Sequence, residues 1–217
     1  MSRQSATLLL VALTLSACTT IPGPVAPAAP ASLSTSVVPE VPATPGGQIT
    51  QEAPTDTGVD GIACAGTIAN AAPGLTEAPN TPLIAMSQRP SGGGYLCAAK
   101  SYMVTQPVRL YRLIDSTQPY SKLGGFWSFE RPAGSRDDYR AQFAICKQWS
   151  QLDRLIACDV RPGSMVVVGT TQSADCGNGF SFPKTGANQV FVPNDGLAGI
   201  VHTGGCVDQG AWPPASN

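Results

Sequence analysis

Leu155-Ile156-Ala157-Cys158-Asp159-Val160-Arg161-Pro162-Gly163-Ser164-Met165-Val166-Val167-Val168-Gly169 is the stretch that decides the fold class. Its first half, Leu155 to Val160, reads as a strand, and Arg161–Ser164 carries the Pro-Gly pair of a turn. Met165 to Gly169 reads as the returning strand, and because it is wholly apolar it is expected at the centre of a sheet. Further strands lie on both sides. Val108-Arg109-Leu110-Tyr111-Arg112-Leu113-Ile114 alternates and is β-rich, Gly125 to Phe129 is a short strand, and Gln189-Val190-Phe191-Val192 ends at Pro193. Leu197 to His202 is expected as the last strand. One helix interrupts them: Ser135 suits an N-cap, Asp137 and Asp138 suit the first turn, and Tyr139, Phe143, Cys146 and Trp149 share one face. The spacing predicts that helix from Asp137 to about Gln151. Ile62 to Lys100, with its glycines at 92, 93 and 94, reads as loops and short helical pieces stapled to the domain by Cys64 and Cys97. The order gives an α+β class, a mostly antiparallel β-sheet with one principal helix.

Composition separates this foldable part from the rest. The chain has 217 residues, 13 Lys+Arg against 14 Asp+Glu, and a pI of about 5.7, which argues against a nucleic-acid partner. Glycine and proline number 23 and 20, a share close to that of low-complexity chains, yet 42% of residues are hydrophobic. Much of the proline lies between Thr19 and Gly58, where Ala, Ser and Thr fill the gaps and charge is nearly absent. Such a stretch cannot bury enough apolar surface to offset its ordering entropy, so residues 18–58 are expected to form a disordered, partly polyproline tether. The domain is read over residues 59–210, with a disordered tail over 211–217.

The N-terminus and the cysteines belong together. Arg3 precedes an apolar run, Thr7 to Leu15, too short to span a bilayer, and Leu15-Ser16-Ala17-Cys18 follows. The ending resembles the lipobox of bacterial lipoproteins. That resemblance implies a signal peptide over 1–17, lipidation of Cys18, and anchoring in the cell envelope; Thr19 favours the outer membrane. The plainer alternative is an ordinary signal cut with Cys18 incidental. Removing Cys18 leaves six of the seven cysteines: Cys64, Cys97, Cys146, Cys158, Cys176 and Cys206. An even set in an exported chain predicts disulfides, with the connectivity open. A zinc site is the weaker reading, because no pair has C-x₂-C spacing and His202 is the single histidine.

Several chemistries lack their residues. A nucleophile–histidine site has only His202 to draw on, and a two-carboxylate glycosidase would find no Glu beyond Glu130. No phosphate loop or dinucleotide fingerprint occurs. What remains is an ordered set: Leu110-Tyr111-Arg112, then Gly124-Gly125-Phe126-Trp127-Ser128, then Gly186-Ala187-Asn188-Gln189-Val190. In this order the chain resembles NAD glycohydrolases of the necrotizing-toxin type, relatives of the ADP-ribosyltransferase fold. The likeness spans Val108 to Pro193. It departs from the family's usual Asp-Arg-Phe-Gly at Tyr111-Arg112-Leu113-Ile114, and the segments Asp115–Leu123 and Asp137–Gln151 are longer than expected.

The resemblance implies hydrolysis of NAD to ADP-ribose and nicotinamide, with NAD as substrate and no cofactor or metal. Arg112 and Gln189 would be catalytic, with Arg112 clamping the pyrophosphate and Gln189 holding the ribose hydroxyls. Phe126 or Trp127 would stack on the nicotinamide, and Ser128 would bond the carboxamide or ribose. Bland readings stand beside each role. Arg112 is a solvated strand residue or a partner of Asp115 or Glu130; Phe126 and Trp127 are core; Ser128 and Gln189 are ordinary strand polars. Arg136, Asp137, Asp138 and Arg140 read as the solvated face and cap of the helix. The rival class is a non-enzymatic envelope lipoprotein that binds an envelope or secreted protein, as an inhibitor or assembly factor. The enzyme reading requires Arg112, Ser128 and Gln189 to meet in one pocket.

Overall fold

Met165–Gly169 does become a central strand, but it does not return onto Leu155–Val160. The computed structural model describes residues 56–213. In chain order these contain β1 (Leu75–Glu77), α1 (Thr81–Ser87), β2 (Leu96–Val104), β3 (Val108–Ile114), β4 (Phe126–Trp127), α2 (Arg136–Phe143), β5 (Arg154–Val160), β6 (Met165–Thr171), β7 (Ala174–Asp175), β8 (Ser181–Phe182), β9 (Thr185–Phe191) and β10 (Thr203–Ala211). The class is α+β and the strand pairs are antiparallel. One sheet has the order β1-β2-β6-β9-β4, a second β10-β5-β3, and β7-β8 is a small hairpin. The expected pairing of β5 with β6 is therefore corrected. Their turn bonds Gly163 N–H to Val104 O (2.8 Å) and steps the chain from one sheet to the other.

That step explains the sequence. Ile156, Cys158 and Val160 of β5 face Val166 and Val168 of β6 across a shared core, while Val167 packs on the other side with Leu83, Leu96 and Phe191. Both faces of β6 are buried, so its run is apolar without alternation. The two sheets meet at one corner, where Tyr111 and Ser128 exchange backbone hydrogen bonds of 2.8 and 2.9 Å. The candidate site lies at this corner.

Five other expectations change. Ile62–Lys100 holds β1, α1 and the nine-residue β2. The weak strand formers Ala98, Ala99 and Lys100 hid β2, and the smallness that its pairing requires lies on the partner strand, at Gly169. A Cβ added at Gly169 would stand 2.0 Å from Ala98 O, so β2 and β6 approach more closely than larger residues allow. The principal helix starts with the expected Ser135–Asp138 capping box but ends at Phe143, because Ala144 turns left-handed at φ 49°. Arg140 is 4% exposed rather than solvated, and its guanidinium donates to carbonyls of Ile145, Cys146, Ser150 and Gln151. It thereby gathers the segment in which the helix was expected to continue. Leu197–His202 is a turn, since the Asp195 carboxylate accepts from Leu197 and Ala198 N–H; the last strand is β10. Finally, Ala211 and Trp212 belong to the fold and not to a tail. Trp212 is 4% exposed among Leu113, Tyr139, Phe143 and Leu155.

All six cysteines pair, as Cys64–Cys97, Cys146–Cys176 and Cys158–Cys206, with Cα–Cα distances of 5.7, 5.3 and 4.1 Å. At the other end Thr57 bridges Ala63 and Gly58 is buried, so residues 56–58 already join the domain. The signal segment, Cys18 and residues 18–55 of the expected tether lie outside the described residues, as do 214–217.

The fold should be acid-sensitive. The carboxylate of half-buried Asp60 accepts from Ser91 Oγ, from Lys184 Nζ at 3.0 Å and from Ile62 N–H, which together hold its pKa well below the carboxylate range. Hydrogen bonds likewise lower Asp115, Asp138, Asp153 and Asp208. A depressed folded pKa contributes stability above the unfolded value of about 3.9 that is lost as pH falls through it. Thermal unfolding followed across pH should show a level Tm from about pH 7 to 5 and a steep fall below about pH 4. Asp60→Asn should lower Tm at neutral pH and flatten the acid limb; an unchanged limb would remove Asp60 from this account.

Candidate functional site

Arg112 has the strand parity of Leu110 and Ile114, both core residues, so its side chain enters the interior face of β3. Its Nε donates to Ser121 O at 2.9 Å, and its Nη1 donates to Phe126 O. The guanidinium carbon lies 5.9 Å from the Trp127 ring centroid. Gly124 makes the space, since a Cβ there would stand 2.0 Å from Arg112 Nη2. The bland pairing with Asp115 or Glu130 does not occur. Asp115 is engaged by Thr117, Gln118 and Gln151, and among the described residues Arg112 forms no ion pair. Burial therefore pulls the Arg112 pKa down to about 10, opposed by Tyr139. An unpaired cation with donors to spare is an anion site in waiting.

Gln189 lies on β9 opposite Gly169 and is 7% exposed. Its Nε2 donates to Thr171 Oγ at 2.9 Å, while Thr171 Oγ donates to Ala187 O at 2.8 Å. The threonine has one proton, already directed at a carbonyl, so the atom facing it must be the amide NH₂. Gln189 Oε1 is thereby left without a hydrogen-bond partner among the described residues, as an acceptor for a hydroxyl.

Arg112, Phe126, Trp127 and Gln189 line one cleft of about 300 Å³, within the size range of small-molecule sites. Ser128 is not with them. It lines a neighbouring cavity of about 430 Å³ behind Tyr139, and its hydroxyl donates to Glu130 O at 2.8 Å. Trp127 is 2% exposed and donates Nε1–H to Gly124 O, so its ring supports Arg112 from the core and offers no open face. Phe126 is half-buried, flanked by Tyr95 at 5.0 Å and Phe191 at 5.3 Å between ring centroids. His202 lies outside the cleft, with its backbone N–H held by Asn194 Oδ1.

The sequence reading missed Tyr95, Tyr139 and Trp149, which also line the cleft. The Tyr139 phenol is pushed up to about 12, chiefly by burial, against the pull of Arg112 and a hydrogen bond with Ser128. The helical spacing did single out Tyr139 and Trp149, but only as members of one helix face. Nothing but the glycine run before it pointed to Tyr95.

No known family profile matches the chain, and no curated protein matches it. Among solved structures, a chain from the structure of Tne2 in complex with Tni2 is similar at a TM-score of 0.37 and 16% identity, over 54% of this chain and 95% of that one.

Proposed function

We propose that this domain binds NAD in the Arg112–Gln189 cleft and hydrolyses it to ADP-ribose and nicotinamide. The chain would act outside the cytoplasm, as a lipoprotein held in the outer membrane through Cys18. The observation that carries the reading is the pairing of opposites in one aromatic cleft: among the described residues, a cation without a carboxylate partner and an amide oxygen without a donor. The pyrophosphate would satisfy the first and the ribose hydroxyls the second. Between them the anomeric carbon is exposed to water. The C–N bond breaks as the pyridinium takes the electron pair and leaves neutral, water adds to the oxocarbenium-like carbon, and its proton passes to solvent. Because the leaving group starts charged, positioning and electrostatics carry the step and no strong base is needed.

The test is nicotinamide release from NAD by the oxidised domain. Absence of release removes the reading. A sharper check comes from Gly124→Ala. Gly124 has φ −67°, which alanine adopts freely, and the three heavy atoms nearest the added methyl all belong to Arg112. Release should fall about tenfold or more, as expected for a displaced catalytic contact, while Tm drops by about 2–6 °C because the displaced guanidinium gives up its carbonyl partners. Equal activity would mean that Arg112 need not sit where it does.

A second reading has its own observation. Leu197 is 81% exposed, and its loop neighbour Gly196 approaches Tyr120, itself exposed. These apolar side chains favour a protein partner at that edge, in keeping with an envelope or secreted protein as ligand. Leu197→Asp should then abolish partner capture without affecting nicotinamide release.

A further inference from the structure

Strain is concentrated at the cleft. Four non-glycine residues among those described have positive φ: Tyr95 (75°), Ala144 (49°), Leu152 (51°) and Asn178 (52°). The first three line the cleft. Tyr95 is the most telling, because a bulky aromatic residue at such φ is a genuine outlier. It follows Gly92, Gly93 and Gly94, so a residue free of this penalty was locally at hand and the side chain itself must be wanted.

The surroundings hold Tyr95 in place. Its carbonyl accepts from Gln172 N–H at 3.0 Å, and Gly94 N–H donates to Ser173 O at 2.9 Å. The Arg89 guanidinium lies 4.6 Å from the ring centroid, and Phe126 stands at 82° to the ring. Both rings line the cleft and meet in a T-shaped contact, a corner against which a flat, electron-poor heterocycle would stack. The corner's place is also defined. Leu96, next in the chain, pairs with Thr171, whose hydroxyl anchors Gln189. Tyr95 thus stands at the Gln189 end, where the bond to nicotinamide would be broken.

We infer that Tyr95 is a substrate-positioning residue, whose ring forms with Phe126 the corner that seats the nicotinamide ring, and that its backbone strain is the consequence of presenting it. This rests on the NAD reading above. Three variants test it: Tyr95→Phe, Tyr95→Ala and Tyr95→Gly. Glycine relieves the strain that alanine retains, so Tyr95→Gly should unfold about 2–4 °C above Tyr95→Ala. Both should raise KM for NAD about tenfold or more, and Tyr95→Phe should stay within about threefold of the parent. ADP-ribose, which keeps the pyrophosphate and lacks nicotinamide, should bind all variants within about twofold of the parent by calorimetry. An unchanged KM in Tyr95→Gly overturns the inference, and so does an equal loss of ADP-ribose affinity, which would mean that the cleft has collapsed. If the parent releases no nicotinamide, the NAD reading fails first, and this inference with it.

Discussion

On the NAD reading, Arg112→Ala should lower nicotinamide release by at least about a hundredfold, a loss of about 2.7 kcal/mol in transition-state stabilisation, and Arg112→Lys should restore little of it. The reason is geometric. Arg112 must bond the carbonyls of Ser121 and Phe126 and still present N–H groups to an anion. A guanidinium does both because its donors are splayed in one rigid plane; an ammonium on a flexible stem reproduces neither the spacing nor the plane. The fold should tolerate the change. Removing Arg112 leaves two carbonyls short of a donor, which destabilises, but it also removes a desolvated cation that no carboxylate among the described residues neutralises, which stabilises. Tm should move by no more than about 3 °C. Initial rates and thermal unfolding on the same preparations decide the matter. If activity falls only in step with Tm, Arg112 is a structural residue and the cleft loses its anion site.

Legibility in the sequence followed physical scale. Burial of both faces was written into Met165–Gly169 as an apolar run, and the capping box was written into Ser135–Asp138. Which strands neighbour one another was not, because periodicity reports faces and never partners. So β5 and β6 read as a hairpin, although they oppose each other across a core. The helix end was lost for a similar reason. Cys146 and Trp149 keep helical spacing from Tyr139, while Ala144 reverses its φ and Arg140 binds the carbonyls beyond. Arg112 and Gln189 could be selected because a charged or amide side chain among apolar strand residues is conspicuous. Ser128 could not be placed, since its position depends on the corner where two sheets join. Tyr95 was invisible because only coordinates reveal a positive φ in a non-glycine residue.

The corner should also decide which disulfide matters for nicotinamide release. Cys146 follows Ala144 and Ile145, which line one wall of the cleft with Trp149 and Ser150. Cys176 follows β7, whose Asp175 N–H donates to Gly92 O at 2.8 Å while Ala174 bridges Gly93, so it is tied to the wall that carries Gly94 and Tyr95. The Cys146–Cys176 bond therefore spans the two walls, whereas Cys158–Cys206 joins β5 to β10 and neither cysteine lines the cleft. Their sequence separations of 30 and 48 residues predict similar losses on removal. Each should cost about 3–4 kcal/mol, or about 6–15 °C in Tm. Activity should separate them. At a temperature where both variants remain folded, Cys146→Ser/Cys176→Ser should raise KM and lower nicotinamide release about tenfold or more, because the walls part. Cys158→Ser/Cys206→Ser should keep release within about threefold of the parent. Equal losses in the two variants would show that the bonds act only through global stability. A selective loss would make the cleft competent only where its thiols are oxidised, so a chain synthesised among reductants would acquire its activity after export.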